Sequence, residues 1–132
     1  MVIFILQNAY KSNKHQFKNE DEWGKELANS HTGRRLKEMM PEGIEYKVIN
    51  SSAMIGNNPN SCYNADLRYI KKFVEEMKPS TICACGRIAQ KGCTELGLDF
   101  IPAPHPAWRQ LSKRCSNNIK EQIRIKEDFQ NT

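Results

Sequence analysis

The chain has 132 residues, of which 39% are hydrophobic and 8% aromatic, a composition typical of one folded domain and not of a disordered tail. No apolar run approaches the roughly 20 residues of a membrane helix, and the apolar N-terminus has no basic leader or cleavage site of a signal peptide. The net charge of +5, from 20 Lys and Arg against 15 Asp and Glu, favours a polyanionic partner.

Short β-prone runs alternate with helical patterns along the chain. The four runs are residues 2–6, 46–50, 80–85 and 98–102. Helical patterns cover residues 23–28 and 34–40, interrupted near Gly33, and then 64–78, 87–96 and 117–129, the last capped by Asn117. Residues 51–61 have the composition of a loop. The alternation predicts one domain over residues 1–132, a three-layer α/β/α fold with a four-stranded parallel sheet in the order 2-1-3-4.

Polar residues follow three of the four predicted strands. Gln7 and Asn8 follow the first, Asn50 ends the second, and His105 follows the fourth. Residues 102–106 (PAPHP) hold three prolines, so we expect a rigid, non-helical loop there. Since ligands of parallel sheets bind at the carboxyl ends of the strands, these side chains are expected at one rim.

These segments resemble, in the same order, the motifs of the uracil-DNA glycosylase superfamily. Residues 6–10 (LQNAY) are similar to the G-Q-D-P-Y segment of the uracil-specific branch, with the Asn of the G-I-N-P-G form of the mismatch-specific branch. Residues 48–51 (VINS) resemble the strand end that supplies a base-reading Asn, and residues 105–112 (HPAWRQLS) resemble the H-P-S loop. Residues 68–90 resemble the connection that joins them. The likeness spans almost the whole chain.

The resemblance implies a DNA glycosylase that extrudes a uracil or related pyrimidine and hydrolyses its bond to the sugar. It implies that Asn50 reads the base, that His105 donates to O2 of the departing base, and that Asn8 orients the attacking water. An amide cannot take the proton of that water, so slower catalysis is expected than with the Asp of the uracil-specific branch. Each residue also has a structural alternative: a polar turn for Asn50, a surface loop for His105, and an Asx turn for Asn8.

Further residues follow from the same resemblance. Gln7 and Tyr10 would contact the base, with Tyr10 excluding the methyl group of thymine, unless this Tyr is a core or rim residue. Phe17 is our choice for the ring that stacks on the base, since residues after the first motif are mostly polar. The residues expected to wedge into the DNA and to contact its phosphates are Trp108, Arg109, Leu111, Lys113 and Arg114. The alternative for Trp108 is core packing, and the alternative for the basic residues is a solvated helix face.

Five cysteines at irregular spacing predict reduced thiols in a cytoplasmic protein, nucleoid-associated or in a host cytoplasm if the protein is viral. Cys83 and Cys85 lie in an apolar run without a second pair at ligand spacing, and we interpret them as core residues. We therefore expect no metal and no other cofactor, with DNA as the partner of a monomer. Two hypotheses compete with the enzyme: a DNA- or base-binding module of the same fold without activity, and a different flavodoxin-like domain that handles a small nucleotide.

Overall fold

The main sheet of this computed structural model consists of four parallel strands. The structure describes residues 1–10, 20–27, 30–58, 61–106 and 111–130. The four strands of the sheet are β1 (Val2–Leu6), β3 (Tyr46–Asn50), β5 (Thr81–Cys85) and β6 (Ile101–Ala103). Their order is β3-β1-β5-β6, which is 2-1-3-4 when these four are numbered among themselves. The predicted α/β class, with a four-stranded parallel sheet between helices, is confirmed.

Helices cover both faces of this sheet, because side chains of a strand alternate between its two sides. The helices are α1 (Glu20–Leu27), α2 (His31–Met39), α3 (Leu67–Met77), α4 (Arg87–Glu95) and α5 (Lys113–Gln130). Val2, Phe4 and Leu6 of β1 pack in a core with residues of α2 and α5. Ile3 and Ile5 pack in a second core with residues of α3 and α4. All five residues of β1 are buried, as a central strand of a parallel sheet requires. None of the described helices is long and apolar enough to cross a membrane.

Two short strands form a separate ribbon that the sequence did not predict. β2 (Ala9–Tyr10) pairs in parallel with β4 (Ile55–Gly56), inside the segment predicted as a loop. Each strand has two residues, too few for an alternating pattern to be recognised in the sequence. The ribbon connects the chain that leaves β1 with the chain that leaves β3.

The predicted start of the last helix was wrong. We expected it at Asn117, but α5 begins at Lys113. Ser112 acts as its cap: the Ser112 hydroxyl accepts a hydrogen bond from the backbone N–H of Cys115 at 3.1 Å, and its carbonyl accepts one from Ser116. Ser and Asn are comparable caps, so two nearby candidates could not be distinguished from the sequence.

The predicted interruption between two helices is present but lies earlier than Gly33: α1 ends at Leu27 and α2 begins at His31, so Gly33 is buried inside α2. α2 begins after Ser30, whose hydroxyl accepts a hydrogen bond from the backbone N–H of Gly33 at 3.0 Å. A further difference is that the fourth strand, predicted over residues 98–102, is β6 (Ile101–Ala103); it contains Pro102 and also Ala103, which we expected in the proline-rich loop. Proline lacks the N–H of a central strand, but β6 lies at the edge of the sheet, where that donor is not needed.

Candidate active site

The carboxyl ends of the four parallel strands lie along one edge of the sheet. Leu6 at the end of β1 is level with Asn50 at the end of β3, and Cys85 at the end of β5 is level with Ala103 of β6. The polar residues that follow these strands therefore begin from the same rim. Three inter-strand spacings separate β3 from β6, which is about 14 Å between backbones. A pyrimidine and two side chains that approach it from either end can span such a gap.

Asn8 is held by the loop that precedes α3. Its side-chain nitrogen Nδ2 donates to the carbonyl oxygens of Ala9 at 3.0 Å and Ser61 at 3.3 Å, and its oxygen Oδ1 accepts from the backbone N–H of Tyr63 at 3.4 Å. These bonds fix the orientation of the amide and use both of its N–H donors. An amide oxygen has two lone pairs, so Oδ1 can accept one further hydrogen bond, for example from a water molecule.

Asn50 lies fully buried at the end of β3. Asn50 makes an interaction with the rest of the chain, and its Oδ1 atom is buried and accepts no hydrogen bond from the described residues. The next residue, Ser51, connects two strand ends: its hydroxyl and its backbone N–H both donate to the carbonyl of Leu6. The Ser51 carbonyl in turn accepts from the N–H of Asp66, the cap of α3, at 2.8 Å. Asn50 is therefore held rigidly, and a ligand reaches it only if the residues that cover it move.

His105 follows β6 by two residues and lies half-buried between two prolines. Burial lowers the pKa of its imidazole from the ordinary value of 6.5. The imidazole is therefore neutral near pH 7, with one N–H donor and one acceptor nitrogen.

A network of hydrogen bonds fixes the backbone that carries His105. The carbonyl oxygen of Ala103 accepts from the backbone N–H of Gly86 at 2.8 Å and from Nε2 of Gln90 at 3.0 Å. The carbonyl oxygen of Pro106 accepts from Nη1 of Arg35 at 2.9 Å. Bonds on both sides of His105 therefore hold the loop against α4 and α2.

Three of these supporting residues were not singled out from the sequence. Gly86 and Gln90 lie in the segment that resembles the family's connection, but their hydrogen bonds to Ala103 have no sequence signature. Arg35 precedes Pro106 by 71 positions, and nothing in its neighbourhood predicts that contact.

The structure describes only part of the remaining predicted site. Phe17, Trp108 and Arg109 lie outside the described residues, so their predicted roles in stacking and wedging stay predictions. Of Tyr10 the structure describes the backbone, in β2. Gln7 is half-buried at the rim, directly after β1. Cys83 and Cys85 are buried core residues of β5, and the described part of the chain contains no cluster of three or more potential metal ligands.

The predicted DNA contacts that the structure describes lie at the start of α5. Leu111 is half-buried, whereas Lys113 and Arg114 are exposed in the first turn of the helix. Cations in a first turn face the positive end of the helix dipole, an arrangement that disfavours them unless an anion is nearby.

Comparison with known proteins identifies one family. A family model described as the uracil DNA glycosylase superfamily matches residues 8–130. No curated protein and no solved structure gives a significant match to the chain.

Proposed function

Because the chain belongs to the uracil DNA glycosylase superfamily, whose members are glycosylase hydrolases that act on DNA, we propose that it hydrolyses the N-glycosidic bond of uracil or a related pyrimidine in DNA. The product is an abasic site of the type that base excision repair processes. The family model covers residues 8–130 of 132, and hence Asn8, Asn50 and His105 but neither β1 nor Gln7. The protein acts as a monomer in the cytoplasm, without a metal or another cofactor.

The observation that carries the proposal is the position of His105. It is a half-buried, neutral imidazole between two prolines, at the same edge of the sheet as Asn50. Cleavage of the glycosidic bond leaves negative charge on the departing base. A fixed N–H donor directed at O2 of that base stabilises the charge in the transition state, and such donors typically contribute about 3–4 kcal/mol. His105 supplies this donor without giving up its proton.

Asn50 selects the base in this proposal. Its amide can donate to O4 and accept from N3–H, a pair of bonds that uracil and thymine offer and cytosine does not. The base must first leave the DNA helix, which costs a few kcal/mol of stacking and pairing. Since Asn50 is fully buried, entry of the base also requires the residues above the amide to shift. Gln7 and Tyr10, which follow β1, complete the base pocket.

Asn8 contributes by orienting the water that attacks the sugar. Its N–H donors are engaged with Ala9 and Ser61, which leaves one acceptor position on Oδ1. An amide held in this way can direct a water molecule but cannot remove its proton. Turnover is therefore slower than in the uracil-specific branch, whose first motif carries an Asp.

DNA binds along the segment after His105. Trp108, Arg109 and Leu111 fill the space left by the extruded base, and Lys113 and Arg114 neutralise phosphates. The exposure of Lys113 and Arg114 in the first turn of α5 supports this assignment.

A strand-scission assay tests the proposal. Labelled oligonucleotides with uracil, single-stranded or in U:G and U:A duplexes, are incubated with the protein and then treated with alkali, which cleaves at abasic sites. We expect scission with the wild-type protein and its loss in His105→Ala and Asn50→Ala. Asn118→Ala, at an exposed site on α5, is the control for substitution of an Asn. Circular dichroism of each variant separates loss of chemistry from loss of fold.

A binding module without activity is the second candidate, and the hydrogen bonds of Asn8 favour it. One of its N–H donors binds the carbonyl of the adjacent residue Ala9 and the other binds the loop that contains Ser61, as expected for a structural Asn. In that case the protein binds uracil-containing DNA in a gel-shift assay and produces no scission at any enzyme concentration. Scission that depends on His105 rejects this candidate.

A further inference from the structure

A cavity of about 610 Å³ lies between α2 and the first half of α5. Four cationic side chains line it, together with one carboxylate, that of Glu38; the cations are Arg34, Arg35, Lys113 and Lys120. The remaining lining is largely polar, with Ser112 and Asn117 among it. We call this cavity the α2–α5 groove. Its excess of positive charge and polar lining fit an anionic ligand rather than an apolar one.

Most of the cations of the groove have no ion-pair partner among the residues that the structure describes. Among the described residues, the side chains of Arg34, Lys113 and Lys120 make no hydrogen bond or ion pair. The second half of α5 differs: Arg124 pairs with Glu121 at 2.8 Å, and Lys126 pairs with Asp99 at 2.8 Å. Cations that lie close together repel one another, so their accumulation along one groove is unfavourable until an anion binds there.

The groove adjoins the His105 loop. Arg35, which lines the groove, donates to the carbonyl of Pro106 at 2.9 Å, and Leu111 lines the groove as well. A nucleic-acid strand with one base at the rim therefore has its neighbouring phosphates directed along α2 and α5. Guanidinium groups bind phosphate oxygens through two parallel hydrogen bonds, and ammonium groups bind them as point charges.

We propose that the α2–α5 groove binds the sugar–phosphate backbone of the DNA strand that flanks the extruded base. The inference rests on the proposed function for the identity of the ligand, and it adds Arg34 and Lys120 to the DNA-binding surface. Contacts of this kind carry no sequence information; they fix the register of the DNA and raise its affinity.

Salt dependence of DNA binding tests the groove separately from catalysis. Fluorescence anisotropy measures the affinity for a labelled duplex without uracil over a range of NaCl concentrations. The test variant is Arg34→Gln with Lys120→Gln, and the control is Lys72→Gln, at an exposed lysine of α3 on the opposite face of the sheet. We expect the slope of log K against log [NaCl] to become shallower by about 1 for each groove cation removed, and to stay unchanged in the control.

The outcomes separate the two proposals. If the slope of the groove variant equals that of the wild type while the wild type cleaves uracil-containing DNA, the groove inference is overturned and the proposed function stands. If the slope falls as expected but the wild type cleaves no substrate, the groove is supported and the proposed function fails. A titration with inorganic phosphate tests whether the groove binds a small anion instead of DNA. The inference is also overturned if phosphate shifts the NMR signals of α2 and α5 while the DNA affinity does not depend on Arg34 or Lys120.

Discussion

Substitution of Gly86 by Ala should impair both stability and the site. Gly86 connects β5 to α4 with φ +89° and ψ 167°, a backbone conformation that is essentially restricted to glycine. An alanine forced into it costs about 1–3 kcal/mol of strain. The added methyl would lie 3.7 Å from Cβ of His105, an ordinary contact distance, so no clash is added to the strain. The chain can relieve the strain only by rotating this backbone, which carries the hydrogen bond to Ala103.

Gly97→Ala is the matched control at the other end of the same helix. Gly97 has φ +69°, and no heavy atom lies within 4 Å of the position that its Cβ would occupy. Alanine in this left-handed conformation costs about 1–2 kcal/mol. Both variants should therefore unfold at lower urea concentration, and the melting temperature should fall by about 3–5 °C per kcal/mol in a domain of this size. Because only Gly86 lies against His105, only Gly86→Ala should slow the glycosylase reaction.

NMR titration of His105 supplies a readout that does not depend on activity. Burial lowers the pKa of this imidazole, so displacement of the loop in Gly86→Ala should raise the pKa towards 6.5, and Gly97→Ala should leave it unchanged. A Gly86→Ala variant that unfolds at the same urea concentration as the wild type would show that Gly86 is not strained by a side chain. Equal activity and equal His105 titration curves in both variants would show that Gly86 does not position His105.

Three further predictions concern packing, the Asn8 loop and pH. In urea unfolding, Gly92→Ala should destabilise the protein by about 1–3 kcal/mol more than Gly24→Ala does. A Cβ atom at position 92 would lie 2.9 Å from Cβ of Ala65, whereas a Cβ atom at position 24 would meet no other side chain within 4 Å. Asn8→Asp should lower the urea midpoint, with a loss of about 1–3 kcal/mol in the free energy of unfolding, because a carboxylate would meet two carbonyl oxygens that now accept N–H bonds. The variant should show no gain in the rate of base removal, and a faster enzyme would contradict this prediction. The pKa of His105 is lower in the folded than in the unfolded state, so the stability that depends on this group should fall as pH drops below about 6.5. In thermal melts over a pH series, the melting temperature of a His105→Gln variant should depend less on pH in this range than that of the wild type.

The regular elements could be predicted where the sequence pattern is strong. β1 and β3 have the predicted bounds. In β1 a continuous apolar run that ends at polar residues defines a buried strand. The β2–β4 ribbon could not be predicted, since two-residue strands have no periodicity. The start of α5 was missed because Lys113 and Arg114 do not resemble a first turn, where acidic residues are preferred.

The candidate site could be predicted only in part, because its support comes from contacts distant in sequence. Strand ends are visible in the sequence, so the common rim of Asn50 and His105 followed from the predicted parallel sheet. The bond of Asn8 to Ser61 joins residues 53 positions apart, and that of Arg35 to Pro106 joins residues 71 positions apart. Neither bond has a local signature. Such pairs are settled by packing of the whole chain, which explains why the α2–α5 groove was not predicted.

The convergence of Asn50 and His105 on one base can be observed in a crystal structure with an oligonucleotide that carries a non-hydrolysable 2′-fluoro analogue of deoxyuridine. We expect one extruded base at the rim, with the Asn50 amide and the His105 imidazole each at about 3 Å from its polar edge. DNA bound elsewhere, or a base that these two side chains cannot both reach with hydrogen bonds, would show that the proposed site is wrong.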